Sequence, residues 1–164
     1  PNSLKVTILD TGLETMTGGR LKKGIEFIDD ESFYLTYGDG VGTIDIDKLT
    51  KFHFKQSGLV TLTATRPPAR FGSLKIIEDQ VQEFGEKDNS NEGWINGGFF
   101  VVNRKVIDYL DKDNEPFEKE PLEKLAKDGQ LMAYKHEGFW QCVDTKRDKD
   151  NLNNLLEKGE IPWL

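Results

Sequence analysis

Short apolar runs alternate along this chain with segments whose apolar residues recur every three or four positions. The opening run Leu4-Lys5-Val6-Thr7-Ile8-Leu9 has strand character. Thr17-Gly18-Gly19-Arg20-Leu21 leads into a helix whose apolar positions Leu21, Ile25 and Ile28 fall on one face. Phe33 to Tyr37 is a compact strand, and Gly38-Asp39-Gly40 ends it sharply. Asp45 is placed to cap an amphipathic helix from Ile46 to Gln56, and Leu59 to Thr65, rich in β-branched residues, reads as a buried strand. Arg66-Pro67-Pro68-Ala69-Arg70-Phe71-Gly72 is a rigid loop. Two short strands follow it, Ser73 to Ile77 and Val81 to Phe84, around a turn containing Asp79. Trp94 to Asn103 contains the next strand. Helices near Val106–Leu110 and Pro121–Lys127 precede short strands at Leu131–His136 and Phe139–Gln141, and Lys146 to Lys158 is a final helix. This succession predicts an α/β fold, a mixed sheet with helices on its faces and one hairpin insertion.

Composition narrows the function. The 164 residues suffice for one domain with a real core, and no repeat, low-complexity tract or linker divides them. The chain has no apolar run of bilayer-spanning length and no signal-peptide pattern, so no membrane partner is expected. A single cysteine, Cys142, excludes an internal disulfide and points to a reducing cytoplasm. The net charge of −7 makes nucleic acid a poor partner, because affinity for it comes largely from neutralising phosphates. A small phosphorylated ligand would then need local cations, a metal or backbone N–H groups. The start at Pro1-Asn2-Ser3, with no initiating Met before the first strand-like run, reads as a cleaved or truncated product.

Four segments carry candidate chemistry. In Tyr37-Gly38-Asp39-Gly40 an acid flanked by glycines follows a buried strand, where α/β sheets bind ligands and where magnesium would find a carboxylate; a plain turn explains it equally well. Thr17-Gly18-Gly19-Arg20 offers N–H groups, a helix dipole and a guanidinium, or is simply a loop entering a helix. Phe84-Gly85-Glu86-Lys87, before Trp94-Ile95-Asn96-Gly97-Gly98, suits a polyol and its phosphate, or is a solvated salt-bridge loop. Asp144, after a short aromatic strand, is a second metal carboxylate or an N-cap. Asp45-Ile46-Asp47 is better explained by capping. His53 and His136 lack ligand-spaced neighbours, and Cys142 has no evident base.

Taken in order, these segments resemble the sugar-1-phosphate nucleotidylyltransferase family. The likeness extends over Val6–Gly12, Met16–Lys22, Thr36–Val41, Thr61–Thr65, Arg70-Phe71-Gly72, Glu86-Lys87, Ile95–Val101, Glu120-Pro121-Leu122 and Gly138–Gln141 with Asp144-Thr145 and Arg147-Asp148. The Thr-Gly-Gly-Arg and Phe-Trp-Gln segments point to its cytidylyl branch. The resemblance implies a Rossmann-like mixed sheet of the glycosyltransferase-A-like type, lacking its first strands, with residues 1–164 forming the C-terminal part of a single domain. It implies Mg2+ held by Asp39 and Asp144, and catalysis by Asp39, Lys87 and Asp144. Lys87 would meet the sugar phosphate. Glu86, Asn96 and Gly97 would meet its hydroxyls, and Gly38 would allow close approach. Thr17, Gly18, Gly19 and Arg20 would lie near base or ribose. CTP and glucose 1-phosphate are the implied substrates, and a homo-oligomer the implied state of the complete protein.

Two departures accompany the resemblance. The family's glycine-rich triphosphate loop has no counterpart here, and Asp88 stands where a Pro usually follows Glu-Lys. The same chemistry with another nucleotide or hexose stays open. So do a glycosyltransferase, which would need an Asp-x-Asp at a strand end, and a non-catalytic fragment that binds sugar phosphate.

Overall fold

The structure, a computed structural model, describes residues 5–67, 73–77, 80–85 and 93–163. In chain order the elements are α1 (Thr17–Ile25), β1 (Ser32–Thr36), β2 (Gly40–Gly42), α2 (Ile46–Lys55), β3 (Val60–Thr65), β4 (Ser73–Ile77), β5 (Gln80–Gly85) and β6 (Ile95–Asn103). A 3-10 helix (Arg104–Tyr109), α3 (Glu120–Lys127), β7 (Leu131–Lys135), β8 (Trp140–Cys142) and α4 (Lys146–Glu157) complete them. The main sheet has the order β1-β6-β3-β7. β6 is antiparallel to both β1 and β3, and β3 is parallel to β7, so the sheet is mixed as expected. β1, β3 and β7 therefore run in one direction and end at one edge, where β6 begins. β4 and β5 form the anticipated hairpin, and β2 pairs with β8 as a separate ribbon.

One face of the sheet buries Val60, Phe100 and Val102 against Leu21 and Ile25 of α1, Leu122 and Leu125 of α3, and Val106, Leu110 and Phe117 of the segment between. Each such side chain contributes on the order of 1.5–3 kcal/mol by leaving water. On α2, Leu49 and His53 are buried. The His53 ring lies 2.9 Å from the Thr61 hydroxyl of β3, and burial holds its imidazole below the usual value, which gives it a structural role. Asp45 caps α2 by accepting the Lys48 N–H at 2.9 Å.

Two expectations are corrected. Residues 5–10 form no strand, and Val6 and Ile8 are 70% and 90% exposed. Their alternation gives strand propensity, but a strand persists only where a neighbour takes up its N–H and C=O groups, and no described strand pairs here. The helix expected near Val106–Leu110 is present as a 3-10 helix, Arg104–Tyr109. Asp144 is not the cap of α4: Thr145 is, with extended backbone, and Asp148 answers it to close a capping box.

At the start of α1 the helix presses on the 113–117 chain. Glu115 O accepts the Gly18 N–H at 3.0 Å, and Asp113 O accepts the Met16 N–H at 3.0 Å. A Cβ on Gly19 would lie 2.2 Å from Asp113 O, whereas one on Gly24 would meet nothing within 4 Å. Alanine favours a helix over glycine by about 1 kcal/mol, but overpacking against backbone costs about 1–3 kcal/mol. Gly19→Ala should thus lower the denaturation midpoint while Gly24→Ala raises it, as read by urea unfolding. A stabilising Gly19→Ala would contradict this packing.

Candidate functional site

The edge where β1, β3 and β7 end is shaped by Asn96-Gly97-Gly98. Leu62 pairs with Phe100 and Ala64 with Asn96, so β6 takes four steps where β3 takes two. The two extra residues form a bulge. Gly98 turns through it at φ +77°, and its N–H is accepted by Asn96 Oδ1 at 2.9 Å. A Cβ on Gly98 would stand 2.7 Å from the Tyr37 ring, so glycine is required on both counts. Two carbonyls of the bulge point to neighbouring elements: Gly98 O accepts the Tyr37 N–H at 3.1 Å, and Gly97 O accepts the Trp140 indole N–H at 2.8 Å.

Tyr37 lies at the centre of a polar network. Its phenol donates to Glu118 Oε1 at 2.6 Å and lies 3.3 Å from Asn96 Nδ2, which donates to it. The other Glu118 oxygen accepts from the Thr17 hydroxyl at 2.6 Å, and Thr17 Oγ1 in turn accepts the Phe117 N–H at 2.9 Å. One carboxylate thereby ties the start of α1 to the end of β1. Beside it runs a mainly apolar groove of about 310 Å³, bordered by Thr17, Arg20, Leu21, Leu35, Tyr37 and Glu118. Arg20 is exposed there and donates to the Thr11 hydroxyl.

The two predicted metal carboxylates meet through backbone. In the β2–β8 ribbon Gly40 pairs with Cys142, and Asp39 O accepts the Val143 N–H at 2.8 Å, so Asp144 is one residue from the partner of Asp39. Both Asp39 and Asp144 are exposed, and the Cys142 thiol donates to Asp144 Oδ2 at 3.1 Å. The Trp140–Gly97 bond fastens this ribbon to the bulge. Among the described residues no group of three or more His, Cys, Asp or Glu could hold a metal. Two exposed carboxylates with oxygen-only donors suit a hard cation that fills its remaining positions with water and phosphate.

Of the residues expected from sequence, Gly38, Asp39, Asn96, Gly97 and Asp144 share this edge, and Thr17 and Arg20 border the adjoining groove. Gly18 and Gly19 are buried against the 113–115 backbone, whose close approach accounts for both glycines. Glu86 and Lys87, like Arg70-Phe71-Gly72 and the Asp79 turn, lie outside the described residues. Sequence reasoning missed Tyr37, Trp140 and Glu118. The first two stand inside motifs already singled out. Glu118 sits in an acid-rich run with nothing local to mark it.

The family model described as Nucleotidyl transferase matches residues 3–158. The glucose-1-phosphate cytidylyltransferase of Salmonella typhimurium is 53% identical over 159 residues, 96% of this chain and 62% of that relative. The probable glucose-1-phosphate cytidylyltransferase of Bacillus subtilis is 42% identical over 164 residues, 99% of this chain and 64% of its own length. The chain thus spans less than two thirds of these relatives. HddC from Yersinia pseudotuberculosis superposes with a TM-score of 0.61 at 24% identity, covering 84% of this chain and 60% of that one. The inositol-1-phosphate CTP transferase from T. maritima does so with 0.60 at 15% identity, covering 88% and 62%. These two likenesses show a shared fold.

Tyr37 supplies a test of the network. Burial first, then the hydrogen bond and charge of Glu118, push its phenol far above the ordinary value of 10.0. The raised value favours the neutral phenol in the folded state. Its contribution to stability is whole below pH 10 and declines as pH rises from there towards the elevated value. Phenolate absorbance should therefore show Tyr37 silent while exposed tyrosines titrate, and Tyr37→Phe should leave that ordinary titration unchanged. A loss of one tyrosine from it would refute the network.

Proposed function

The chain belongs to the nucleotidyl transferase family, and on that premise we propose that it forms the sugar-phosphate and cation-binding part of an enzyme that transfers a cytidylyl group from CTP to glucose 1-phosphate, giving CDP-glucose and pyrophosphate. The observation that supports it is the ribbon register: Asp39 O accepts the Val143 N–H next to Asp144, and both acids are exposed near the strand end that carries Asn96 and Gly97. The two cytidylyltransferase relatives, at 53% and 42% identity, support the choice of base and sugar.

In this reading a phosphate oxygen of glucose 1-phosphate attacks the α-phosphorus of CTP in line, and pyrophosphate leaves. The attacking oxygen is already anionic, so no side chain has to remove a proton. What remains is positioning and the neutralisation of charge. Asn96 and Glu86 hold sugar hydroxyls, with Gly97 leaving them room, and Lys87 meets the sugar phosphate. Thr17, Gly18, Gly19 and Arg20 lie on the nucleotide side, and Gly38 lets phosphate oxygens approach. Asp39 and Asp144 would hold Mg2+, which when bound neutralises charge on the phosphate oxygens. The complete enzyme acts in the cytoplasm as a homo-oligomer; among the described residues no helix is long and apolar enough to cross a membrane.

Pyrophosphate release by the complete protein, measured with CTP, UTP, dTTP and GTP against glucose 1-phosphate, should be supported by CTP. Asp39→Asn and Asp144→Asn should each reduce kcat on the order of a hundredfold or more while the unfolding transition stays in place, since Asn keeps the size and loses the charge. Lys87→Ala should raise KM for glucose 1-phosphate roughly ten- to a hundredfold and spare CTP. Full turnover in both Asn variants would remove the carboxylates from the mechanism.

A further inference from the structure

The half-buried amide of Asn96 is held at both ends. Oδ1 accepts the Gly98 N–H at 2.9 Å, and Nδ2 donates to the Tyr37 phenol oxygen at 3.3 Å. A side-chain amide turned over by half a rotation keeps its shape and exchanges donor for acceptor, so its neighbours must dictate its sense. The Gly98 N–H can only donate, which calls for Oδ1 on that side. On the other side the answer comes from further away. Tyr37 has a single hydroxyl hydrogen, and it goes to Glu118 Oε1 at 2.6 Å. Glu118 is exposed to water, and an ionised carboxylate only accepts. The phenol oxygen is left as an acceptor, and of the two amide atoms only Nδ2 can donate to it.

Each member of this relay is fixed by a second contact. The Thr17 hydroxyl donates to the other Glu118 oxygen at 2.6 Å and accepts the Phe117 N–H at 2.9 Å. The same turn of α1 is tied down where Glu115 O accepts the Gly18 N–H at 3.0 Å. Tyr37 gives its own N–H to Gly98 O at 3.1 Å, and its ring meets Phe100 edge-on with centroids 5.6 Å apart. The phenol therefore cannot swing away without leaving both the strand ladder and the core.

We infer that Glu118, acting through Tyr37, is a positioning residue that fixes the donor–acceptor sense of Asn96. With one Nδ2 hydrogen given to Tyr37 and one Oδ1 lone pair to Gly98, the amide keeps one N–H and one lone pair for a ligand. That pair meets neighbouring hydroxyls in one sense only, and a reversed amide would offer them the opposite pairing. Only the identity of the ligand as a sugar phosphate rests on the proposed function.

Two measurements test this. In the 164-residue chain, 15N relaxation of the Asn96 side-chain amide should give an order parameter near that of rigid backbone, about 0.85, and the value should fall clearly in Tyr37→Phe and in Glu118→Ala. In the complete protein, Tyr37→Phe should raise KM for glucose 1-phosphate roughly two- to tenfold, the worth of one neutral hydrogen bond, and leave KM for CTP unchanged. Asn96→Ala should raise the same KM, and Asn96→Ala with Tyr37→Phe no further than Asn96→Ala alone. Adding Glu118→Ala to Tyr37→Phe should likewise leave KM for glucose 1-phosphate where Tyr37→Phe put it, since residues acting in series do not add. Additive effects, or equal losses for CTP and glucose 1-phosphate in Tyr37→Phe, would leave a purely structural network and overturn the inference. An Asn96 amide that stays rigid in either variant would overturn it too. Absence of turnover with CTP in the wild-type protein would instead count against cytidylyl transfer, and the relaxation measurement would then decide the relay by itself.

Discussion

The bulge in β6 is the constraint from which the functional edge follows. β6 is the strand paired with both β1 and β3, so two extra residues in it have to be resolved locally. They are resolved by a positive-φ glycine and by the Asn96 side chain folding back on the Gly98 N–H. Beside the bulge Gly98 O continues the ladder towards β1 by accepting the Tyr37 N–H, and Gly97 O accepts the Trp140 indole N–H. Each bond alone is worth only about 0.5–1.5 kcal/mol. Their importance is geometric: one fixes the end of β1, the other fixes the ribbon that carries Asp39 and Asp144.

Charge is distributed to suit that frame. Asp39 and Asp144 lie on neighbouring backbone, joined by the Asp39 O–Val143 N–H bond, and both stay exposed to solvent. Glu118 is treated differently. Its two oxygens are taken up by the hydroxyls of Thr17 and Tyr37, which both donate to it. Ionising Tyr37 would set a second anion against it, which is the same physics that raises the phenol.

Local pattern was enough where the governing forces are local. The β-branched run at β3, the apolar face of α1 and the Asp45 cap of α2 all stand where periodicity and capping chemistry put them. Where a partner decides the outcome, the sequence was silent or misleading. The Val6–Ile8 alternation promises a strand that no described neighbour pairs. Thr145 and Asp144 both carry N-cap chemistry, and only the extended backbone of Thr145 with Asp148 three residues on separates them. The contact of Gly18 and Gly19 with the 113–115 chain had no local signal. Glu118 is 81 residues from Tyr37 and 101 from Thr17, a meeting that only the fold creates. In the site itself, glycines, acids and amide were visible as types at strand ends, while the bulge that orients them depends on pairing register.

The character of α4 carries a consequence for motion. None of its side chains is buried, and the capping box at Thr145 is its principal local tether. A helix that buries no side chain fully, with Leu152 and Leu155 half-buried, has less apolar burial to hold it than the sheet has, and is expected to open at lower free energy. Asp144 stands two residues before α4, whereas Asp39 directly precedes β2, so any opening of the helix reaches the backbone of Asp144 before that of Asp39.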